Sequence, residues 1–265
     1  MSVEPLRVER TDDIVRLTLS RPTVGNAVNL DMARALLAAA IDCDNDPSVR
    51  CVVMTGEGRL FCAGGDVVLF QTAGDRLPGV LSELAGTLHL AESRLARMNK
   101  PLLVLVNGAA AGAGLSLALL GDVVLVARTA SFSAAYGALG LSPDGGLSWL
   151  LPRLVGLRKA QDMILAGRRL SGDEAEAWGL ITRAVDPDAL AAEGEAMAQR
   201  LAALSAPAIG AARNLLLESL GSSLETHMER EARAIAALSL SPEAREGIAA
   251  FVAKRKPDFR GNTHG

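Results

Sequence analysis

Reactive and aromatic side chains are scarce in this chain of 265 residues: three cysteines, three histidines, one tyrosine, two tryptophans and five phenylalanines. Cys43, Cys51 and Cys62 are odd in number and show no C-x-x-C spacing, which excludes a disulfide framework and a cysteine zinc site and points to a reducing compartment. His89, His227 and His264 stand far apart, so a Ser/His/Asp triad would have to join Ser116 to His89 and an acid that the sequence does not single out. Charge of one sign is also lacking. With 27 basic residues against 30 acidic ones and a net charge of -3, no general attraction for nucleic acid or an anionic membrane exists.

Long uninterrupted apolar runs are missing as well. The first twenty residues carry scattered charges and no secretory core, so a cytoplasmic protein is expected. Residues 101–127, "PLLVLVNGAAAGAGLSLALLGDVVLVA", are apolar but cut by glycines at 108, 112, 114 and 121. Two buried strands flanking a glycine turn and a buried helix account for them better than a membrane span.

What the chain has in quantity is glycine and alternating structure. Strands are expected at 6–10 and 14–20 around the turn "TDD", a helix at 30–42, a strand in "VRCVVMTG" and a helix over 75–98 that ends before Pro101. The repeated order of strand, glycine turn, helix and strand predicts an α/β fold, with helices dominating from 158 onward. Ser171 and Glu174 have capping-box spacing at a helix start. The expected division is a core over 1–190 and a helical lobe over 191–265 for oligomerisation and cover of a ligand.

Two glycine-rich turns follow two expected strands: "GEGRLFCAGGD" after "CVVMT", and "NGAAAGAGLS" after "LLVLV". Each offers backbone N–H groups near a helix start, and two of them facing one another would hold a single oxygen. Close helix-to-strand packing is the competing explanation for either turn alone. A dinucleotide site is disfavoured because "GAAAGAG" lacks G-x-G-x-x-G order. "GLSLA" misses the nucleophile elbow because Ala118 stands where its last glycine belongs.

Ordered motifs over nearly the whole chain, from "RPTVGNAVN" through "GEGRLFCAGGDV", "NKPLLVLVNGAAAGAGLSLALLGD" and "GLSPDGGLSWLLPRLVG" to "AEAWGLITRAVD" and "FVAKRKPDF", resemble the crotonase superfamily, also called the enoyl-CoA hydratase/isomerase family. The resemblance implies a ββα spiral core with a C-terminal helical lobe, assembled as a homotrimer or dimer of trimers. It also implies an acyl-CoA thioester as substrate, with CoA arriving as part of it and with no separate cofactor or metal. The backbone amides of Gly65 and Ala113 take the places of the family's oxyanion donors. Asn26, Ala27, Ala63, Gly65, Asp66, Val67, Lys256 and Phe259 are the positions expected around CoA.

The departures from the family are as informative. Ser116 and Tyr136 occupy the positions of the two glutamates by which hydratases handle water. Asp144, in "LSPDGG", falls at or near an acid used in other branches, including isomerases and an aryl-CoA dehalogenase. One carboxylate suffices to move a proton between carbons, so an enoyl-CoA isomerase is expected, with Asp144 as shuttle and Tyr136 as hydrogen-bond donor. A hydratase using Asp144 alone, a binding protein without catalysis and a Ser116 thioester hydrolase are the alternatives. "SPDGG" also suits a plain turn, Tyr136 a buried structural role, Cys62 an inert thiol and "KRKPDF" a solvated charge run. Val68, Leu69, Leu88 and Leu139 are candidates for the wall of an acyl pocket.

Overall fold

The computed structural model describes residues 4–261, and His264 falls outside them. The chain opens with an antiparallel hairpin, β1 (Leu6–Thr11) and β2 (Ile14–Leu19), turned at Asp12 in the left-handed region with φ 53°. Next come α1 (Leu30–Asn45), β3 (Cys51–Gly56), α2 (Val67–Ala73), α3 (Leu77–Arg97), β4 (Leu102–Val106), β5 (Ala110–Ala111), α4 (Ala113–Leu119), β6 (Val123–Ala127) and β7 (Ser131–Ser133). The second half contains α5 (Leu147–Val155), α6 (Leu157–Leu165), β8 (Leu170–Ser171), α7 (Gly172–Ala177), β9 (Arg183–Val185), α8 (Leu190–Ala202), α9 (Ala206–Ser219), α10 (Leu224–Leu238) and α11 (Pro242–Val252).

Six strands form one sheet in the order β1-β2-β3-β4-β6-β9, parallel from β2 onward. Strands β5, β7 and β8 form a second, small sheet. The large sheet is covered on both faces, which explains why its strands read as continuous Val/Leu runs. Alternate residues serve opposite layers: Val52, Met54, Leu102, Val104 and Val126 pack with Met32 and Leu36 of α1 and Leu88 and Leu95 of α3. Their neighbours Cys51, Val53, Leu103, Leu105 and Leu125 pack with Leu190, Ala198 and Ala202 of α8. The cover of the sheet therefore runs past residue 190 to the end of α8.

Local chemistry explains several boundaries. Asn29 caps α1 by accepting from the Met32 amide at 3.0 Å. Ser171 and Glu174 form the expected capping box at the start of α7. The helix expected over 75–98 begins at Leu77, and the short α2 ahead of it is an element the sequence pattern did not resolve. Arg213 of α9 is buried and donates to the carbonyls of Met98 and Leu95 at the end of α3, while its Nε lies 2.7 Å from Asp122 Oδ2. Asp122 in turn accepts from the Leu102 amide at 2.7 Å, so one guanidinium fastens α9 to both α3 and the sheet.

The chain leaving β4 passes close under the loop that leaves β3. A Cβ added at Gly108 would lie 2.0 Å from the Arg59 carbonyl oxygen, a backbone atom that cannot rotate away. Gly108→Ala should therefore lower unfolding stability by about 3 kcal/mol, read as a reduced urea midpoint with unchanged slope.

Candidate active site

The same crossing brings the two glycine turns together. Cys62 donates from its amide to Ala109 at 3.2 Å and accepts from the Ala111 amide at 3.0 Å, so the turns are joined backbone to backbone. Gly64, with φ 106°, sits so close that a Cβ there would be 3.0 Å from the Ala111 carbonyl oxygen. Val28 then clasps the first turn from the other side: its amide donates to Gly64 at 2.7 Å and its carbonyl accepts from Asp66 at 3.0 Å.

That clasp skips the Gly65 amide. Ala113 is the first residue of α4, where an N–H has no partner within the helix. Among the described residues, neither amide donates a hydrogen bond to a protein acceptor. Both residues line a cavity of about 230 Å³ whose wall is mainly apolar, with Phe70 of α2, Leu81, Leu84, Ala85 and Leu88 of α3, and Leu139 and Leu141. Val67 also lines it. Of the four apolar candidates read from the sequence, Leu88 and Leu139 reach the cavity, whereas Val68 and Leu69 do not; α2 turns Phe70 inward instead.

Asp144 closes one end of this cavity, and among the described residues it is the single carboxylic side chain in the lining. Tyr136, also in the lining, donates from Oη to Asp144 Oδ1 at 2.6 Å. Burial first, then the charge of Asp144 and the hydrogen bond to it, raise the Tyr136 phenol well above its ordinary range, so it remains an O–H donor. Around the bend, the Gly145 amide donates to His89 Nε2 at 2.9 Å, which places the proton of a neutral ring on Nδ1. Ser116 Oγ donates to the Asp144 carbonyl at 3.2 Å. The loop bearing the acid is thus held from two helices.

Other candidates take framework roles. Asn26 is fully buried with φ 56°; its Nδ2 donates to the carbonyls of Glu57, Leu60 and Phe61, and its Oδ1 accepts from the Arg21 amide. Its side chain is spent inside the first turn, beside the buried Ala27. The Asp66 carboxylate caps α2 through the Leu69 amide and pairs with Arg21 at 2.9 Å, so what it leaves for a ligand is backbone. Ala63 lines the cavity, whereas Lys256 and Phe259 follow α11 and lie outside the lining.

Burial pushes the Cys62 thiol up to about 12, and its Sγ lies 3.1 Å from the Asn26 carbonyl oxygen, the arrangement of an inert thiol. Ser116 is buried, lies outside the cavity lining and donates to a carbonyl rather than to a histidine, so the hydrolase reading finds no activated nucleophile. Among the described residues no group of three His, Cys, Asp or Glu side chains is placed to hold a metal ion. No described helix is long and apolar enough to cross a membrane.

Sequence reading missed one acid. Glu92 of α3 is 5% exposed, and neither carboxyl oxygen has a hydrogen-bond partner among the described residues. The signal was present in the spacing: Leu84, Leu88, Glu92 and Leu95 share one helix stripe, and the three leucines are buried. Burial, reinforced by the charge of Asp144, moves the Glu92 carboxyl from 4.5 to about 8.

The consequence for stability has a definite sign. Below 4.5 folded and unfolded chains both hold this proton; between 4.5 and about 8 only the folded chain holds it, so stability falls as pH rises, levelling off above the folded value. Glu92→Gln should remove this loss, making the drop in unfolding free energy between about pH 5 and about pH 9 smaller than in the parent by about 3 kcal/mol, measured by urea titration.

Comparison with known proteins agrees with the geometry. A family model described as Enoyl-CoA hydratase/isomerase matches residues 9–262. The chain is 36% identical over 255 residues to 1,2-epoxyphenylacetyl-CoA isomerase of Escherichia coli K12, covering 94% of this chain and 95% of that protein. It is 38% identical over 261 residues to a probable enoyl-CoA hydratase of Rhizobium meliloti, covering 98% and 99%. A crystal structure of an enoyl-CoA hydratase from Polaromonas sp. JS666 superimposes with a TM-score of 0.92 at 33% identity, over 96% of this chain and 99% of that one. A mixed α/β core with two clasped glycine turns, matched from end to end by these relatives, makes the chain a member of the enoyl-CoA hydratase/isomerase family, the crotonase superfamily.

Proposed function

We propose that the protein moves the double bond of an enoyl-CoA, passing through an enolate held by backbone. The observation that carries this reading is that, among the described residues, Asp144 is the single carboxylic side chain in a mainly apolar cavity. Adding water across a double bond calls for a base on the water and an acid for the α-carbon. The two positions that hydratases fill with glutamate are Ser116, out of the cavity, and Tyr136, a phenol held in its neutral form. Moving a double bond needs one carboxylate that takes a proton from one carbon and returns it to another.

The chemistry follows from the layout. The thioester carbonyl oxygen accepts from the Gly65 and Ala113 amides. Asp144 removes a proton from the carbon flanked by the carbonyl and the alkene; the electron pair moves into the enolate, whose oxygen the two amides stabilise. The proton then returns two carbons farther along, giving the conjugated ester. Tyr136 orients Asp144 by donating to its Oδ1. Preorganised donors of this kind contribute about 3 kcal/mol each to the transition state. Ala63 and Val67 line the cavity, and in this reading their backbone and that of Asp66 between them meet the nucleotide end of CoA. One relative is named an isomerase, which supports this reading, and others in the same family are named hydratases.

The working form in this reading is an oligomer, a homotrimer or dimer of trimers, which would bring Lys256 and Phe259 to the CoA of a neighbouring subunit. Supporting this, α10 and α11 leave Met228, Ile235, Ile248, Phe251 and Val252 more than half exposed. Light scattering on purified protein should give a mass three or six times that of the 27.5 kDa chain, and a monomer would remove this part of the reading.

Asp144→Asn should cut conversion of a 3-enoyl-CoA to the 2-enoyl-CoA by about 10²-fold or more while CoA-ester binding persists. Tyr136→Phe should cost about tenfold in kcat with a smaller change in KM, since it removes one hydrogen bond to the base. A parent protein that binds the ester but leaves it unconverted, with its α-protons unexchanged in deuterated water, would sink the isomerase reading in favour of a binding protein.

A further inference from the structure

Gly65 is a glycine for a reason that its backbone does not supply. Its φ lies outside the left-handed region, so conformation alone would allow an ordinary side chain there. Phe70 forbids one. A Cβ built on Gly65 would lie 2.6 Å from Phe70 Cζ and 3.0 Å from Cε2, so the tip of the ring fills the space of the missing side chain. The ring is carried on a braced helix: Asp66 caps α2 through the Leu69 amide, and the Phe70 amide donates to the Asp66 carbonyl at 3.1 Å.

Ring and acid flank the amide pair. A Cβ built on Gly112, next to Ala113, would lie 3.8 Å from Tyr136 Cζ, and Tyr136 holds Asp144. A thioester carbonyl seated on the Gly65 and Ala113 amides thus has the carboxylate on the Ala113 side and the Phe70 ring on the Gly65 side. Phe70 is the bulkiest apolar side chain in the lining, and Leu81, Leu84, Ala85 and Leu88 of α3 continue the wall. Among the described residues no Lys, Arg or His lines this cavity, so a carboxylate at the end of an acyl tail would be buried without a counter-charge.

Space is limited as well. An apolar protein cavity of about 150 Å³ binds one benzene ring. On that scale the 230 Å³ present here takes roughly nine carbons. A second cavity of about 630 Å³, whose lining includes His89, Glu92, Gly145, Trp149 and Arg213, shares no lining residue with the first, so it does not extend the room for a tail.

We propose that the site selects a compact, wholly hydrocarbon acyl group of about eight carbons or fewer, and that Phe70 sets this limit by filling the side-chain space of residue 65. The proposal rests on the placement of the thioester in the isomerase reading, not on its proton transfer. Phe70 is a specificity-determining residue: it touches the tail and carries no proton.

Two readouts along one series of straight-chain CoA esters, butanoyl through hexadecanoyl, test this. Binding is measured by calorimetry with the saturated esters and conversion with the 3-enoyl esters. In the parent, affinity and kcat/KM should rise about fourfold per methylene up to about eight carbons, then fall about tenfold or more by hexadecanoyl. A hexanoyl ester ending in a second carboxylate should bind about 10²-fold more weakly than hexanoyl-CoA. Phe70→Ala should move the optimum about two carbons or more toward longer esters, and Phe70→Leu should move it less in the same direction, with circular dichroism confirming the fold of each. Gly65→Ala should cost about tenfold or more in kcat/KM, and adding Phe70→Ala should restore much of it, because the clash is gone. A parent profile flat to hexadecanoyl, an optimum unmoved in folded Phe70 variants, a second carboxylate bound as well as a methyl end, or a Gly65→Ala loss that Phe70→Ala leaves unrepaired would overturn the selection. Conversion at equal rates across all lengths overturns it while isomerisation stands. A binding optimum near eight carbons with no ester converted removes the isomerase reading and leaves the selection standing.

Discussion

The site depends on backbone touching backbone where the turn after β3 crosses the turn after β4. Cys62 pairs with the strand at Ala110, Gly64 presses on Ala111, and Gly108 slides under Arg59, where an added Cβ would lie 2.0 Å from a carbonyl oxygen. This contact orients two amides toward one cavity without enlisting a side chain. Main-chain donors held this way have little freedom left to lose when charge develops in front of them. The cost is borne by sequence: glycine occupies positions where any other residue would push the turns apart.

Around that crossing the side chains divide their labour. Asn26 and Asp66, polar and close by, are consumed in bracing the first turn and do not line the cavity. Asp144 is the single carboxylic side chain lining that cavity among the described residues, its loop held by His89 and Ser116 and its carboxylate by Tyr136. A single tyrosine in the chain is placed where its hydroxyl matters most.

Much of this was legible in the sequence. The runs at β2, β3 and β4, the helix stripe of α1, the Ser171–Glu174 cap and both glycine turns follow from periodicity and local chemistry, and Asp144 from its place among ordered motifs. The second sheet was not legible, since β5, β7 and β8 are two or three residues long and such lengths carry no period. Helix α2 hid behind the glycines that precede it. Glu92 escaped because "AESRLAR" reads as a solvated stretch, although counting by fours from Leu84 and Leu88 lands on it. The gathering of His89, Ser116 and Asp144 is purely tertiary, and no spacing along the chain announces it.

Arg213 ties the C-terminal segment to the helix that lines the first cavity. Helix α3 supplies Leu81, Leu84, Ala85 and Leu88 to one wall of the first cavity and Glu92 to the second, and its final carbonyls are gripped by a guanidinium from α9. A displacement of α9 would have to break these hydrogen bonds or carry the end of α3 with it. The lobe is thereby tied to the walls of both cavities through one buried guanidinium rather than hung from the core as an appendage.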